Sequence, residues 1–207
     1  MKNKTDVMDL VLRFASGHPL VRAVIQNGSR VNPRLTPDEF ADYDVVFVVE
    51  NPEDFKDDRS WIRRFGETLI MQQNDSDQPG VNWVIFLMLF TDGVRIDLTF
   101  FPKSHARLLY EDSLKKLLID KDGLFPGFPE PDDSFYFTRR PSEGGFYRAV
   151  NNFWWCLTNV AKGIARDELC YVKSMHDLVV REEMNRLIHV FYFQSPWTMR
   201  PTSTINW

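Results

Sequence analysis

The chain has 207 residues, of which 43% are hydrophobic and 26% charged, a composition that builds a core and excludes a disordered polymer; the length suits one domain or two small ones. Twenty-five basic against 29 acidic residues leave a net charge of −4, which argues against gripping nucleic acid by broad phosphate neutralisation but leaves room for a local basic pocket. The longest apolar run, Val84 to Phe90, is far short of the roughly 20 residues of a membrane helix, so no membrane partner is expected.

The first predicted element is a helix over Thr5 to Ser16, with Met8, Val11, Leu12 and Ala15 at helical spacing and Gly17 and Pro19 ending it. A short strand, Leu20 to Gln26, runs into Asn27-Gly28-Ser29-Arg30, where glycine permits a tight turn. A second strand, Tyr43 to Glu50, is apolar on both faces and reads as central. A short helix carrying Trp61 and Phe65 and a third strand, Thr68 to Gln72, come next. The runs Val81 to Phe90 and Val94 to Phe101 flank Thr91-Asp92-Gly93, a hairpin signal. In the second run Val94, Ile96, Leu98 and Phe100 alternate with Arg95, Asp97 and Thr99, so Asp97 faces away from the apolar row.

Residues 104–119 are predicted as helix, anchored by Leu108, Leu109, Leu117 and Leu118. Between Asp122 and Pro141 the glycines and prolines are densest, which marks a domain boundary. Two long helical stretches follow, Ser142 to Arg166 and Glu168 to His189. The expected class is α+β: a mixed sheet with flanking helices in residues 1–135, then a helical domain in 136–207. Cys156 and Cys170 stand in helical sequence 14 residues apart, about 21 Å on one continuous helix and then beyond bridging. Two reduced thiols without a signal peptide point to the cytoplasm.

The residues that carry chemistry are Gly28-Ser29, then Asp42-Tyr43-Asp44, then Asp97 on a later strand. Carboxylates at i and i+2 on a strand share a face and suit Mg²⁺, a hard cation that prefers oxygen ligands; a third acid on a neighbouring strand completes the set. Two metals can stabilise the attacking and leaving oxygens of an in-line phosphoryl displacement, and amides at a Gly-Ser turn can cradle the phosphates of a triphosphate.

This pattern resembles the nucleotidyltransferase superfamily. More closely, Gly28-Ser29-Arg30, Phe40-Ala41-Asp42-Tyr43-Asp44, Ile96-Asp97-Leu98-Thr99, Leu118-Ile119-Asp120-Lys121-Asp122, Arg140-Pro141, Phe153-Trp154 and Lys162-Gly163-Ile164-Ala165-Arg166 resemble the aminoglycoside 6-adenylyltransferases. The resemblance implies ATP as donor, Mg²⁺ as cofactor and an aminoglycoside such as streptomycin as acceptor of AMP. It further implies that Gly28, Ser29 and Arg30 meet the triphosphate and that Asp42 and Asp44 bind metal. Asp97 is then a ligand or the base for the acceptor hydroxyl, and Lys162 and Arg166, one turn apart, reach the phosphates from the second domain. Family members are longer, so the helical domain is expected to be shortened, with exposed apolar helix faces and a non-helical tail from Ser195.

Other readings compete. Asp120 and Asp122 suit turns better than ligation, beside Gly123. Lys162 and Arg166 also fit a solvated helix face. His18, His105, His176 and His189 lack metal-ligand spacing and read as structural or surface residues. A nucleotide-binding protein without transferase activity is one alternative function. A nucleotidyltransferase acting on a protein or tRNA is another, the low positive charge counting against tRNA.

Overall fold

The computed structural model describes residues 4–136 and 141–194, with side chains over residues 7–136 and 141–188. Arg140 and the tail from Ser195 lie outside what is described. The chain divides into two compact units on either side of the Phe135–Tyr136 bond.

In the first unit, helix α1 (Lys4–Gly17) leads into β1 (Val21–Asn27) and β2 (Tyr43–Val49); a short helix, α2 (Glu53–Asp57), precedes β3 (Thr68–Asp75), β4 (Val84–Phe90), β5 (Arg95–Pro102) and β6 (Lys115–Asp120). The strands form one six-stranded sheet in the order β3-β4-β5-β2-β1-β6. Only β2 and β5 run parallel; the other four pairings are antiparallel. The hairpin forms as expected: Phe90 N–H donates to Val94 O at 2.9 Å, and Gly93 turns the chain at φ 84°.

Strand alternation sorts the core onto two faces. On one face Tyr43, Val45, Phe47 and Val49 of β2 meet Ile96, Leu98 and Phe100 of β5, covered by Val7, Val11 and Ala15 of α1 and by Phe55, Trp61 and Phe65. Phe55 stacks on Phe100 at 4.1 Å, and Trp61 meets Phe100 edge-on at 5.0 Å. The Trp61 indole N–H donates to Phe55 O at 3.0 Å, so that buried polar group is satisfied. His18 packs between Phe14 and Phe55 in this region, a structural position.

The second face is covered over less of its length. Ala23, Ile25, Val46, Val48 and Phe101 pack beneath Ala106, Leu109 and Phe125. That cover reaches the far half of β2 and leaves Asp44, near its start, and Asp42, just before it, only half-buried.

One prediction fails here. Residues 104–119 do not form a helix: Lys103–Tyr110 is a 3₁₀ segment, bent at His105, and Lys115–Asp120 is the strand β6. The outer edge of β1 would otherwise leave its backbone groups unpaired, and β6 satisfies them, so long-range pairing overrides helical spacing. An Asp112 carboxylate oxygen accepting Leu114 N–H at 3.0 Å turns the chain into that strand. Asp120 thus ends a strand, where it accepts Leu124 and Phe125 N–H at 2.9 and 3.0 Å.

The second unit consists of α3 (Glu143–Ala165), α4 (Leu169–Ser174) and α5 (Arg181–Gln194), with the π-helical stretch Met175–Val180 joining the last two. The Ser142 hydroxyl caps α3 by accepting Gly145 N–H at 3.1 Å. Asp167, with φ 57°, stops the helix, and Glu168 N–H closes it on Gly163 O at 2.9 Å. Cys156 and Cys170 therefore lie on different helices, α3 and α4, not on one; both thiols are free. A side chain at Gly163 would collide with Val172 and Tyr171, so glycine is what lets α4 pack against α3.

Candidate active site

The strand registers bring the predicted residues together in one row. Asp97 pairs with Asp44 across β5 and β2, and Asp44 pairs with Asn27 across β2 and β1. Val46 and Ile25, two residues along, belong to the second face, so by alternation Asp44 and Asn27 share it. Asp42 precedes β2 by one residue, i−2 from Asp44.

Gly28 follows directly, with φ 77° and ψ −158°, a region that disfavours any side chain. A Cβ at this position would strike the Asp44 Oδ2 atom, so the turn packs its bare backbone onto the carboxylate. Gly28 N–H is held by Leu114 O at 3.1 Å, which ties the turn to the start of β6. Ser29 is exposed and opens the 3₁₀ turn Ser29–Val31.

Arg30 is engaged with the protein. Its Nε donates to Asp42 O at 2.7 Å, an Nη donates to Ala41 O at 2.5 Å, and the guanidinium lies 3.7 Å over the Tyr43 ring. It fixes the segment that delivers Asp42, with one terminal nitrogen left for a ligand.

The residue that sequence reasoning missed is Arg95. It grips Asp97 with two hydrogen bonds, Nε to Oδ1 at 3.0 Å and Nη2 to Oδ2 at 2.8 Å, and its other Nη is 3.3 Å from Asp42 Oδ2. The signal was present: Arg95 alternates in step with Asp97 on β5 and so shares its face. Asp97 itself is buried, at 8% exposure, and both its oxygens are occupied.

These carboxylates repel one another. Burial, then Asp97 and Asp42, push the Asp44 carboxyl up to about 6. Asp42 is also raised, first by burial and then by Asp97, against the opposing pull of Arg95. The donor set is all oxygen and under-compensated, which fits a hard divalent cation by chemistry. Among the described residues, however, no three acidic, histidine or cysteine side chains already close around a common point. Arg95 provides the counter-charge between Asp42 and Asp97.

Lys162 and Arg166 stand in the helical unit. Both are exposed, Lys162 in the last turn of α3 and Arg166 at its cap. Asp122 pairs with Arg22, and with Lys103 at 3.0 Å, which is a structural role. Among the described residues no helix is long and apolar enough to cross a membrane.

The streptomycin adenylyltransferase family model matches residues 1–198. An aminoglycoside 6-adenylyltransferase of Campylobacter jejuni is 37% identical over 192 residues, covering 91% of this chain and 67% of that protein. One from Bacillus subtilis is 34% identical over 194 residues, covering 91% and 68%. The crystal structure of an aminoglycoside 6-adenyltransferase from Bacillus subtilis aligns with 93% of this chain and 68% of that one, at 29% identity and a TM-score of 0.48. The chain thus spans about two thirds of the length of these relatives. With a match running from the first helix through the carboxylates and on into the helical unit, the chain belongs to the streptomycin adenylyltransferase family of nucleotidyltransferase enzymes.

Proposed function

We propose that this chain transfers AMP from ATP to a hydroxyl of an aminoglycoside such as streptomycin, releasing pyrophosphate. The observation that carries this reading is the packing of the Gly28 turn against Asp44, itself in register with Asp97. This reading is supported by a turn suited to phosphate lying beside carboxylates on neighbouring strands. Asp42, Asp44 and Asp97 would hold Mg²⁺, which supplies charge neutralisation at the transferred phosphoryl group.

The chain's own residues have defined tasks in this reading. The Gly28-Ser29 turn presents the Ser29 N–H and hydroxyl to the triphosphate, the Gly28 N–H being taken by Leu114 O. Arg30 holds the Asp42 segment in place through the Ala41 and Asp42 carbonyls. The acceptor oxygen bonds to the α-phosphorus as the bond to the β-phosphate oxygen breaks, and the acceptor's proton passes to a carboxylate. Asp97 competes for that proton less well while Arg95 donates to both of its oxygens. Lys162 and Arg166 are proposed phosphate contacts from the helical unit.

A second reading, nucleotide binding without transfer, is favoured by the large apolar side chains exposed on the helical unit, among them Trp155 at 73%. One experiment separates the two. The protein incubated with ATP, Mg²⁺ and streptomycin should release pyrophosphate and yield drug heavier by one AMP group; ATP binding without either product supports the second reading. Asp42→Asn and Asp44→Asn should each abolish transfer with the fold intact. A variant keeping more than about a tenth of the rate, a barrier change under ~1.4 kcal/mol, would remove that residue from the site.

A further inference from the structure

The row Asp97, Asp44, Asn27 has one more member on the same side of the sheet. Asn27 pairs in register with Lys115, the first residue of β6. Leu117, two residues on, packs into the core of the second face, so alternation puts Lys115 on the face that carries the carboxylates. By ordinary strand spacing, Lys115 lies about 10 Å from Asp44 along the row.

Lys115 is 9% exposed. Among the described residues it makes no ion pair within 4.0 Å and no hydrogen bond through its ammonium. Its neighbour Asn27 carries an Oδ1 atom that is buried and without a partner. A buried ammonium without a counter-charge is costly, and folded proteins keep such groups paired. Burial depresses the Lys115 ammonium below the usual lysine range, outweighing the opposing pull of Asp112 and Glu111, neither of which reaches it as an ion pair. The Gly28 turn is bonded to Leu114, the residue immediately before Lys115.

Resting on the transferase reading, we propose that Lys115 binds the leaving pyrophosphate portion of the donor, which sets the direction of the nucleotide on the sheet. The α-phosphoryl group lies toward Asp44 and Asp97, and the β- and γ-phosphates run past the Gly28 turn toward β6. The phosphates supply a counter-charge in direct contact, which Asp112 and Glu111 do not provide, and the ammonium neutralises the oxygen that departs with the β-phosphate as the P–O bond breaks.

The test is calorimetry of inorganic pyrophosphate, ATP and AMP binding in Mg²⁺ buffer to the full chain and to Lys115→Met and Lys115→Arg, with thermal unfolding of each protein without ligand. Lys115→Met should bind pyrophosphate and ATP at least tenfold more weakly, bind AMP within twofold of the parent, and unfold no earlier than the parent. Lys115→Arg should regain part of the pyrophosphate affinity. Parent-like pyrophosphate affinity in Lys115→Met overturns the proposal and leaves the transferase reading standing. Equal losses for AMP and pyrophosphate, or earlier unfolding with no recovery in Lys115→Arg, make Lys115 structural and also overturn it. A parent protein that binds neither ATP nor pyrophosphate overturns the transferase reading, and this inference with it.

Discussion

The α/β unit and the helical unit bury their large side chains to very different degrees. In the α/β unit, Phe47, Phe65, Phe86, Phe90 and Phe100 are each under 2% exposed. In the helices, Trp154 is 64% exposed, Trp155 73%, and Ile164, Leu169 and Leu178 each between 67% and 69%. Among the described residues, what the helices bury is small: Ala149, Cys156, Gly163 and Val180, with the charged Glu183 held by Asn152 and Arg186. A sheet gains two covered faces once a helix and a few turns pack on it, whereas three helices leave much of each cylinder uncovered. The proposed catalytic residues Asp44 and Asp97 therefore stand on the well-packed half, spaced by backbone pairing, while the described helical residues expose large apolar side chains.

The contrast can be broken most strongly at the aromatic cluster. Phe100→Ala should cost about 3–5 kcal/mol, the usual range for emptying a packed aromatic site, since Phe100 touches Phe47, Phe55, Trp61 and Phe86. Urea unfolding measures it, and a loss under about 1 kcal/mol would mean that the cluster repacks freely.

A somewhat smaller effect is expected from charge at the site. The Asp44 carboxyl is raised in the folded state to about 6 from an ordinary 3.8, so its protonated form is the one the fold favours. The stability it contributes is full below pH ~4 and is lost as pH rises through about 6, in all about 3 kcal/mol. His18, whose proton affinity is lowered by burial and then by Lys121, acts oppositely, with stability lost as pH falls below its ordinary value of 6.5. The measurement is therefore a difference. In chelator, the parent protein should lose stability relative to Asp44→Asn between pH 4.5 and 7, and parallel profiles would show that the carboxylates do not repel as described.

The smallest effect sharpens the other side of the comparison. Trp155→Ser should shift the unfolding free energy by no more than about 0.5 kcal/mol, because an exposed side chain has little burial to lose. Light scattering should nevertheless report less self-association. A loss of 2 kcal/mol or more would show that Trp155 is covered in solution.

Much of the molecule is legible from local pattern. The unbroken apolar run of β2 marks a strand covered on both faces, and Asp92-Gly93 marks the hairpin. Alternation along β5 puts Asp97 off the apolar row, and the Gly28 turn, Asp42 and Asp44 can all be named before any coordinates. Each of these follows from a period, a turn preference or a short spacing, which act over a few residues.

Other features arose from pairings distant in the chain. Residues 115–120 have a sequence compatible with helix, and they became a strand because β1 offered an open edge about 90 residues earlier. With β6 read as helix, Lys115 had no visible connection to Asn27 or Asp44. Nor could turn preference alone reveal that the Gly28 backbone rests on the Asp44 carboxylate. Arg95 needed both kinds of information: its face was readable from alternation, but its bridge from Asp97 to Asp42 exists only because β5 lies parallel beside β2. Local patterns act within a few residues, while close approach and charge pairing depend on which strands meet, and that is settled by burying both faces of the sheet together.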